Sequence, residues 1–324
     1  MRIQTNIAKT VEEIDAKARY DNEVKKVLSD HQILAWILKY TVREFKEYAI
    51  QDIIECIEDR PGVSAYPVHP GRYATPVEGM PTEDTQVAVR RVTYDIRFRV
   101  KVPTLGIVGM IINIEAQNNF YESYDLVSRG VFYCARMLSS QIRNEESATE
   151  YDSLQKVYSI WICMQAPINS EYTITTYRMN REDTYGHMAS KANQRYDLME
   201  LVMVCLGRPE QAKKGTELHR LLTTVLSEKL TPEEKKAVMR SEYGIATTVK
   251  LEGGLVKMCN LSDYIVEKAT ERGIEQGIER GLEELIKKKI QKNKSIEQIA
   301  EELESEPERI RPIYQAILEK KESL

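Results

Sequence analysis

The sequence predicts an α/β protein: helices, a small mixed sheet, then a helical C-terminal extension. Three observations carry that prediction. Residues 8–59 space charged and apolar positions as helices do. The stretch "VTYDIRFRVKV" (92–102) alternates strictly at the strand period. The stretch "YDLVSRGVFYCARMLSSQI" (124–142) returns to helical spacing between two apolar, strand-like runs.

Composition narrows the class. The chain has 324 residues, 42% hydrophobic and 30% charged, ordinary values for a globular protein and too apolar for global disorder. The N-terminal stretch "MRIQTNIAKTVEEIDAKARYD" lacks the apolar core of a secretory signal. The most apolar later stretch, "LMELVMVCLG", is too short to span a bilayer and contains Glu200. The five cysteines, Cys56, Cys134, Cys163, Cys205 and Cys259, are odd in number, scattered, and without a CxxC pair, as expected of reduced thiols in a cytoplasmic protein. A net charge of −4 gives the whole chain no attraction for nucleic acid, so DNA binding needs a local basic surface. Four scattered histidines offer little material for a histidine metal site or a Ser-His triad.

Taken in order, one or two helices over 1–59 pack on the core. Five prolines between residues 60 and 85 force a long irregular connection. In the strand that follows, Tyr94, Ile96, Phe98, Val100 and Val102 share one face, and Asp95, Arg97, Arg99 and Lys101 the other. A second strand runs from about Ile107 to Gln117, with Ile112, Ile114 and Ala116 on one face and Ile111, Asn113, Glu115 and Gln117 on the other. Centring the hairpin loop on Leu105 pairs Phe98 with Ile112, Ile96 with Ile114 and Val102 with Val108. That register sets Asp95 opposite Glu115, where like charges destabilise a sheet. Two readings answer this: a solvated face neutralised by Arg97 and Arg99, or a divalent cation of the kind carboxylates hold.

In the helix after it, Arg129, Arg136 and Arg143 fall close to one face, with Tyr133 one turn from Arg129. This face is either solvated or a phosphate contact. The run "KVYSIWICM" (156–164) reads as a buried strand and closes a core of residues 60–165. Residues 166–260 read as a mostly helical extension. "LTPEEKKAVMRSEYG" shows a capping signature of Thr231, Pro232 and Glu234.

The order Asp95, then Glu115-Ala116-Gln117 on the next strand, then a helix with Arg129 and Tyr133, resembles the PD-(D/E)XK nuclease superfamily. Within it, "TEDT", "VTYDIRF", "NIEAQNNF", "SRGVFYC", "VYSIWICM" and "YDLM" resemble the recombination-promoting nucleases, or PD-(D/E)XK nuclease family transposases, over roughly residues 20–290. The resemblance implies a restriction-endonuclease-like fold and Mg²⁺-dependent hydrolysis of DNA phosphodiesters, with Mn²⁺ as the alternative ion. It implies that Asp95 and Glu115 ligate the cation with the Ala116 carbonyl, and that Arg129 and Tyr133 support the site. Gln117 stands where the superfamily usually has lysine, although glutamine is common in this group. An amide carries no charge and is no general base near neutral pH. The upstream helical acid of such sites is assigned to Glu44, with Glu83 or Asp84 as alternatives.

The tail divides into a long helix over 261–293 and a small helical segment over 294–324. "ERGIEQGIERGLEEL" lines up Gly273, Gly277 and Gly281 in a slowly drifting stripe, each costing about 1 kcal/mol of helix stability against alanine. Close packing against a second copy through 262–292 is one reading, and a repeat that the helix merely tolerates is the other. The last segment carries capping boxes at Ser295/Gln298 and Ser305/Glu308. Its excess of acids argues for packing or protein contact rather than DNA reading.

Overall fold

A computed structural model describes residues 6–58, 62–63, 83–84, 92–102, 108–120, 124–142, 151–189 and 195–322. The chain divides into two compact units, Met1–Ser262 and Asp263–Leu324.

The first unit is built on one mixed sheet. Strand β4 (Ile96–Val102) turns back antiparallel into β5 (Val108–Asn119), and the pairs Ile96 with Ile114, Phe98 with Ile112, and Val102 with Val108 are those the hairpin predicts. Strand β6 (Lys156–Gln165) lies parallel to β5, and β8 (Met199–Cys205) parallel to β6. Strand β7 (Thr173–Arg178) pairs antiparallel with β8, and the short β1 (Gly62–Val63) with β4, giving the order β1-β4-β5-β6-β8-β7. A separate ribbon joins β2 (Glu83–Asp84) to β3 (Val92–Thr93). The connection over 60–85 otherwise lies outside the described residues, as does Arg143.

Residues 166–260 correct the expectation of a mostly helical segment, because they also supply β7 and β8. The stretch "LMELVMVCLG" is largely β8, buried along most of its length. A buried parallel strand is a continuous apolar run, which periodicity alone does not separate from a buried helix. Cys163 and Cys205, distant in sequence, meet in register on β6 and β8, and all five cysteines are buried and unpaired.

Side-chain alternation sends the two halves of each strand to different layers. Ile96, Phe98, Val100 and Val102 join Met110, Ile112, Ile114 and Ala116 in the larger core. Covering that face are α1 (Asn6–Leu28), α2 (His31–Thr41), α3 (Ile50–Cys56), α5 (Glu217–Val225), α6 (Pro232–Tyr243) and the start of α7 (Val249–Ile290). Each large side chain fully buried there contributes about 1.5–3 kcal/mol. On the opposite face α4 (Leu126–Ser139) packs Leu126, Tyr133, Cys134 and Met137 against Ile111, Val157, Trp161 and Leu201. Tyr94, expected beside Ile96, belongs to this second layer and meets the Tyr133 ring edge-on at 5.3 Å. The residues between β3 and β4 leave the ladder, so alternation does not carry across them.

Local signals fix the helix ends. The Asp125 carboxylate accepts the Ser128 amide at 2.8 Å and starts α4. Thr231 and Glu234 cap α6 reciprocally, and Gly244 ends it at φ +63°, a left-handed position suited to glycine. Such N-caps are worth about 1 kcal/mol each. Gly130, in mid-helix, lets α4 approach β8, since a Cβ there would overlap the Leu201 side chain.

At the start of β6 and β8 lies a buried ion cluster. The Lys156 ammonium is 2.7 Å from Glu200 and 3.0 Å from Glu44, and the Tyr158 hydroxyl donates to Glu44 at 2.5 Å. Arg43 adds a contact of 3.3 Å to Glu200 and pairs with Asp197.

In the second unit, Ile286 and Ile290 of α7 pack with Ile299 and Ala300 of α8 (Ile296–Glu302) and Ile310 of α9 (Pro307–Glu322). Ser295 and Gln298 form the expected capping box. Lys289 and Lys294, two lysines of the basic stretch "KKKIQKNK" (287–294), are both paired with Glu302. Beyond Gly273, Gly277 and Gly281 there is open space, so nothing in the described residues requires glycine at these positions. No helix among the described residues is long and apolar enough to cross a membrane.

Replacing Lys156 with methionine leaves Glu200, 1% exposed, and the half-buried Glu44 with only the exposed Arg43 as a cation. Urea unfolding of Lys156→Met is expected to show a loss of about 3–5 kcal/mol. A loss under about 1 kcal/mol, the range of exposed pairs, contradicts a buried cluster.

Candidate active site

Asp95 stands at the entry to β4, and the pairing of Ile96 with Ile114 carries it across from Glu115. Two reciprocal hydrogen bonds lock the arrangement. The Asp95 amide donates to Glu115 Oε1 at 3.1 Å, and the Ala116 amide donates to Asp95 Oδ2 at 3.0 Å. The other Asp95 oxygen, Oδ1, lies 2.8 Å from the Lys25 ammonium, itself 2.7 Å from Asp21 on the same helix, α1. Glu115 is 3% exposed, and Lys25 is also buried.

Electrostatics make this an unusual pair. Burial raises the Asp95 carboxyl, and the opposing pull of Lys25 does not bring it back to the ordinary range. Burial and then the neighbouring Asp95 charge push Glu115 well above the ordinary value, against the pull of its Asp95 amide, Arg129 and Asn113. Two carboxylates held this way are stabilised by any further cation. Their donors are hard oxygens, the chemistry that suits Mg²⁺ or Mn²⁺, so the residues fit such an ion. Among the described residues no cluster of three or more His, Cys, Asp or Glu side chains stands ready for a metal. A cation here therefore takes its remaining ligands from backbone, water or phosphate.

Helix α4 brings Arg129 and Tyr133 to the same face. Arg129 donates from Nε and Nη2 to the Tyr133 hydroxyl (3.2 and 2.8 Å) and from Nη1 to Tyr124 (2.6 Å), and its guanidinium lies 5.2 Å from the Trp161 ring centre. It is near enough for its charge to act on Glu115. Behind Glu115, Asn113 and the Trp161 indole both donate to Ser159 Oγ, at 3.3 and 2.9 Å, which gives the Asn113 amide a buried partner. Gln117 follows Glu115 on the same strand face, half-buried and in register with Cys163. Arg97, which one of the two readings placed on a solvated face, is buried with its guanidinium 5.0 Å from the Tyr94 ring centre, and Arg136 is buried too.

Glu44 is not brought to this site. It belongs to the ion cluster with Lys156, whose strand partner Met110 lies five residues before Glu115, roughly 17 Å along β5. Position in the chain suggested an upstream acid, and tertiary packing placed it at the other end of the sheet. Glu83 and Asp84 pair with Thr93 and Val92, just before Asp95. The sequence reading missed Lys25 and Asp21. Their only signal is an i, i+4 acid–base pair, common on helix surfaces.

A mixed sheet whose hairpin sets an aspartate beside a Glu-x-Gln strand, backed by a helix carrying arginine, defines a restriction-endonuclease-like, PD-(D/E)XK core. Residues 95–246, just under half of the chain, match the family model of the PD-(D/E)XK nuclease family transposases. No curated protein and no solved structure gives a significant match.

Burial would raise the Glu44 carboxyl, but the Tyr158 hydroxyl and the Lys156 ammonium outweigh it and hold it below its usual 4.5. A depressed folded-state value stabilises the fold above 4.5, and that contribution is lost as pH falls through the folded value. The thermal midpoint of the wild type is expected to exceed that of Glu44→Gln at pH 7, with the gap closing as pH falls below 4.5. A gap independent of pH contradicts the assignment.

Proposed function

We propose that the chain is a divalent-metal-dependent DNA endonuclease acting in recombination or mobile-element biology. The interlocked pair of half-buried Asp95 and buried Glu115, lying in the segment that matches a nuclease family, carries this reading. Asp95, Glu115 and the Ala116 carbonyl would hold Mg²⁺ or Mn²⁺, which supplies an acidified water and offsets charge on the phosphate. The protein's own residues do the rest. Arg129, already braced by Tyr133 and Tyr124, keeps further N–H donors for a phosphate oxygen. Gln117 orients water or phosphate by hydrogen bonding, since its amide takes up no proton near neutral pH.

That uncharged amide also supports a second reading, a DNA-binding protein of the same fold with little or no catalysis. Incubating supercoiled plasmid with the full chain and Mg²⁺ separates the two. The wild type is expected to cut, EDTA to stop it, and Asp95→Ala or Glu115→Ala to slow it about 100-fold or more. Binding without cutting under every metal condition favours the second reading.

A second copy of the chain is the partner proposed for residues 262–292. Ile274 and Ile278 are 59% and 60% exposed next to glycines that open onto empty space. An apolar and small-residue stripe of this kind allows two helices to approach closely. Sedimentation is expected to show a multimer that Ile274→Glu with Ile278→Glu converts to monomer. A monomeric wild type overturns this assignment.

A further inference from the structure

Lys25 belongs to helix α1, outside the segment that matches the nuclease family. Its neighbours Val24, Val27 and Leu28 are sealed in the larger core, so the helix turn that carries it is anchored. The ammonium is held from both sides, by Asp21 at 2.7 Å and Asp95 at 2.8 Å. A buried ion pair does little for stability that apolar packing would not do as well. Fold stability alone is therefore a weak reason for a lysine at this point.

The geometry around Asp95 gives a stronger one. Lys25 takes one lone pair of Oδ1, and the Ala116 amide takes one of Oδ2. A carboxylate has about four such acceptor positions, so among the described residues each oxygen keeps one free. The two contacts fix the carboxylate's orientation without using it up. Gln117, on the site's own strand, has no charge to contribute.

We propose that Lys25 is a positioning residue of the carboxylate pair: it pins Asp95 and supplies the fixed positive charge that Gln117 lacks. The proposal rests on the nuclease reading for its effect on cleavage, and on Lys25 and Asp95 alone for its effect on cation binding. An ammonium beside a metal-binding carboxylate repels the incoming ion while it orients the ligand. Cation affinity and cleavage therefore move in opposite directions when Lys25 is removed, whereas a role in packing alone makes both fall together.

The test uses the full-length wild type, Lys25→Met, Lys25→Arg, and Lys25→Met combined with Gln117→Lys. Mn²⁺ binding is read by titration calorimetry, stability by thermal unfolding, and cleavage on supercoiled plasmid with Mg²⁺. Lys25→Met is expected to cleave about 10- to 100-fold more slowly, as a misplaced reacting group does. Its midpoint is expected to fall on the order of 10 °C, because Asp95 loses its buried partner. Mn²⁺ is expected to bind it severalfold more tightly than the wild type. Adding Gln117→Lys restores a fixed charge, raising cleavage and returning Mn²⁺ affinity towards that of the wild type. Should Lys25→Met not fold, Lys25→Arg keeps the charge with a different shape and is expected to retain Mn²⁺ binding while cleaving more slowly.

Wild-type cleavage by Lys25→Met, Mn²⁺ binding that is unchanged or weaker, or no rescue by Gln117→Lys overturns the proposal. If the wild type cuts no DNA at all, the nuclease reading fails by itself. The order of Mn²⁺ affinities then still decides whether Lys25 acts on the pair.

Discussion

The reciprocal pair of hydrogen bonds between the Asp95 amide and Glu115, and between the Ala116 amide and Asp95, is the constraint on which the site depends. Each carboxylate is oriented by the other residue's strand, so neither can turn away without leaving a buried amide unpaired. The bonds exist only in one register. A slip of one residue between β4 and β5 would send Phe98 and Ile112 to the wrong layer and separate the acids at the same time. Core packing and the geometry of the acid pair are thus specified by the same ladder, and a change of register disturbs both.

Two buried ion clusters, near opposite ends of the sheet, show how similar residues take different roles. At the start of β6 and β8, Glu44 sits against Lys156 and Tyr158, and these partners outweigh burial and depress its carboxyl. At Asp95 and Glu115 burial wins and both carboxyls rise, although Lys25 and Arg129 stand close by. In the first cluster both Glu44 oxygens accept direct hydrogen bonds, one from Lys156 and one from Tyr158. In the second, Asp95 shares the Lys25 ammonium with Asp21, and Glu115 is almost fully buried. The direction of each shift follows the local balance of burial and direct contacts, not the order of the acids in the chain.

What was legible in the sequence followed from local rules. Strand alternation with a short loop fixed the Ile96–Ile114 and Phe98–Ile112 pairs, and with them the meeting of Asp95 and Glu115. The Thr231–Glu234 and Ser295–Gln298 caps are contained within four residues and were equally readable. What was not legible depends on which surfaces meet. The sealed strand β8 carries no period that marks it as a strand. Tyr94 changes layers because the ladder breaks beside it, and Glu44 joins Lys156 through contacts between residues far apart in sequence. Cys163 and Cys205 became neighbours only once β6 and β8 were paired in parallel.

Lys25 is the extreme case, and it bears on where the functional unit ends. The matched segment begins at Asp95, yet one oxygen of that aspartate is held by a residue on the first helix of the chain. The helix owes its place to Val24, Val27 and Leu28, three apolar residues in the larger core. Their burial is ordinary hydrophobic packing, worth a few kcal/mol, with no chemistry of its own. It nevertheless sets the position of the ammonium against the carboxylate, where a displacement of about 1 Å is enough to disturb a reacting geometry. The helix that covers the sheet and the hairpin that carries the acids therefore meet at Asp95, and a boundary drawn at the family segment cuts through that contact.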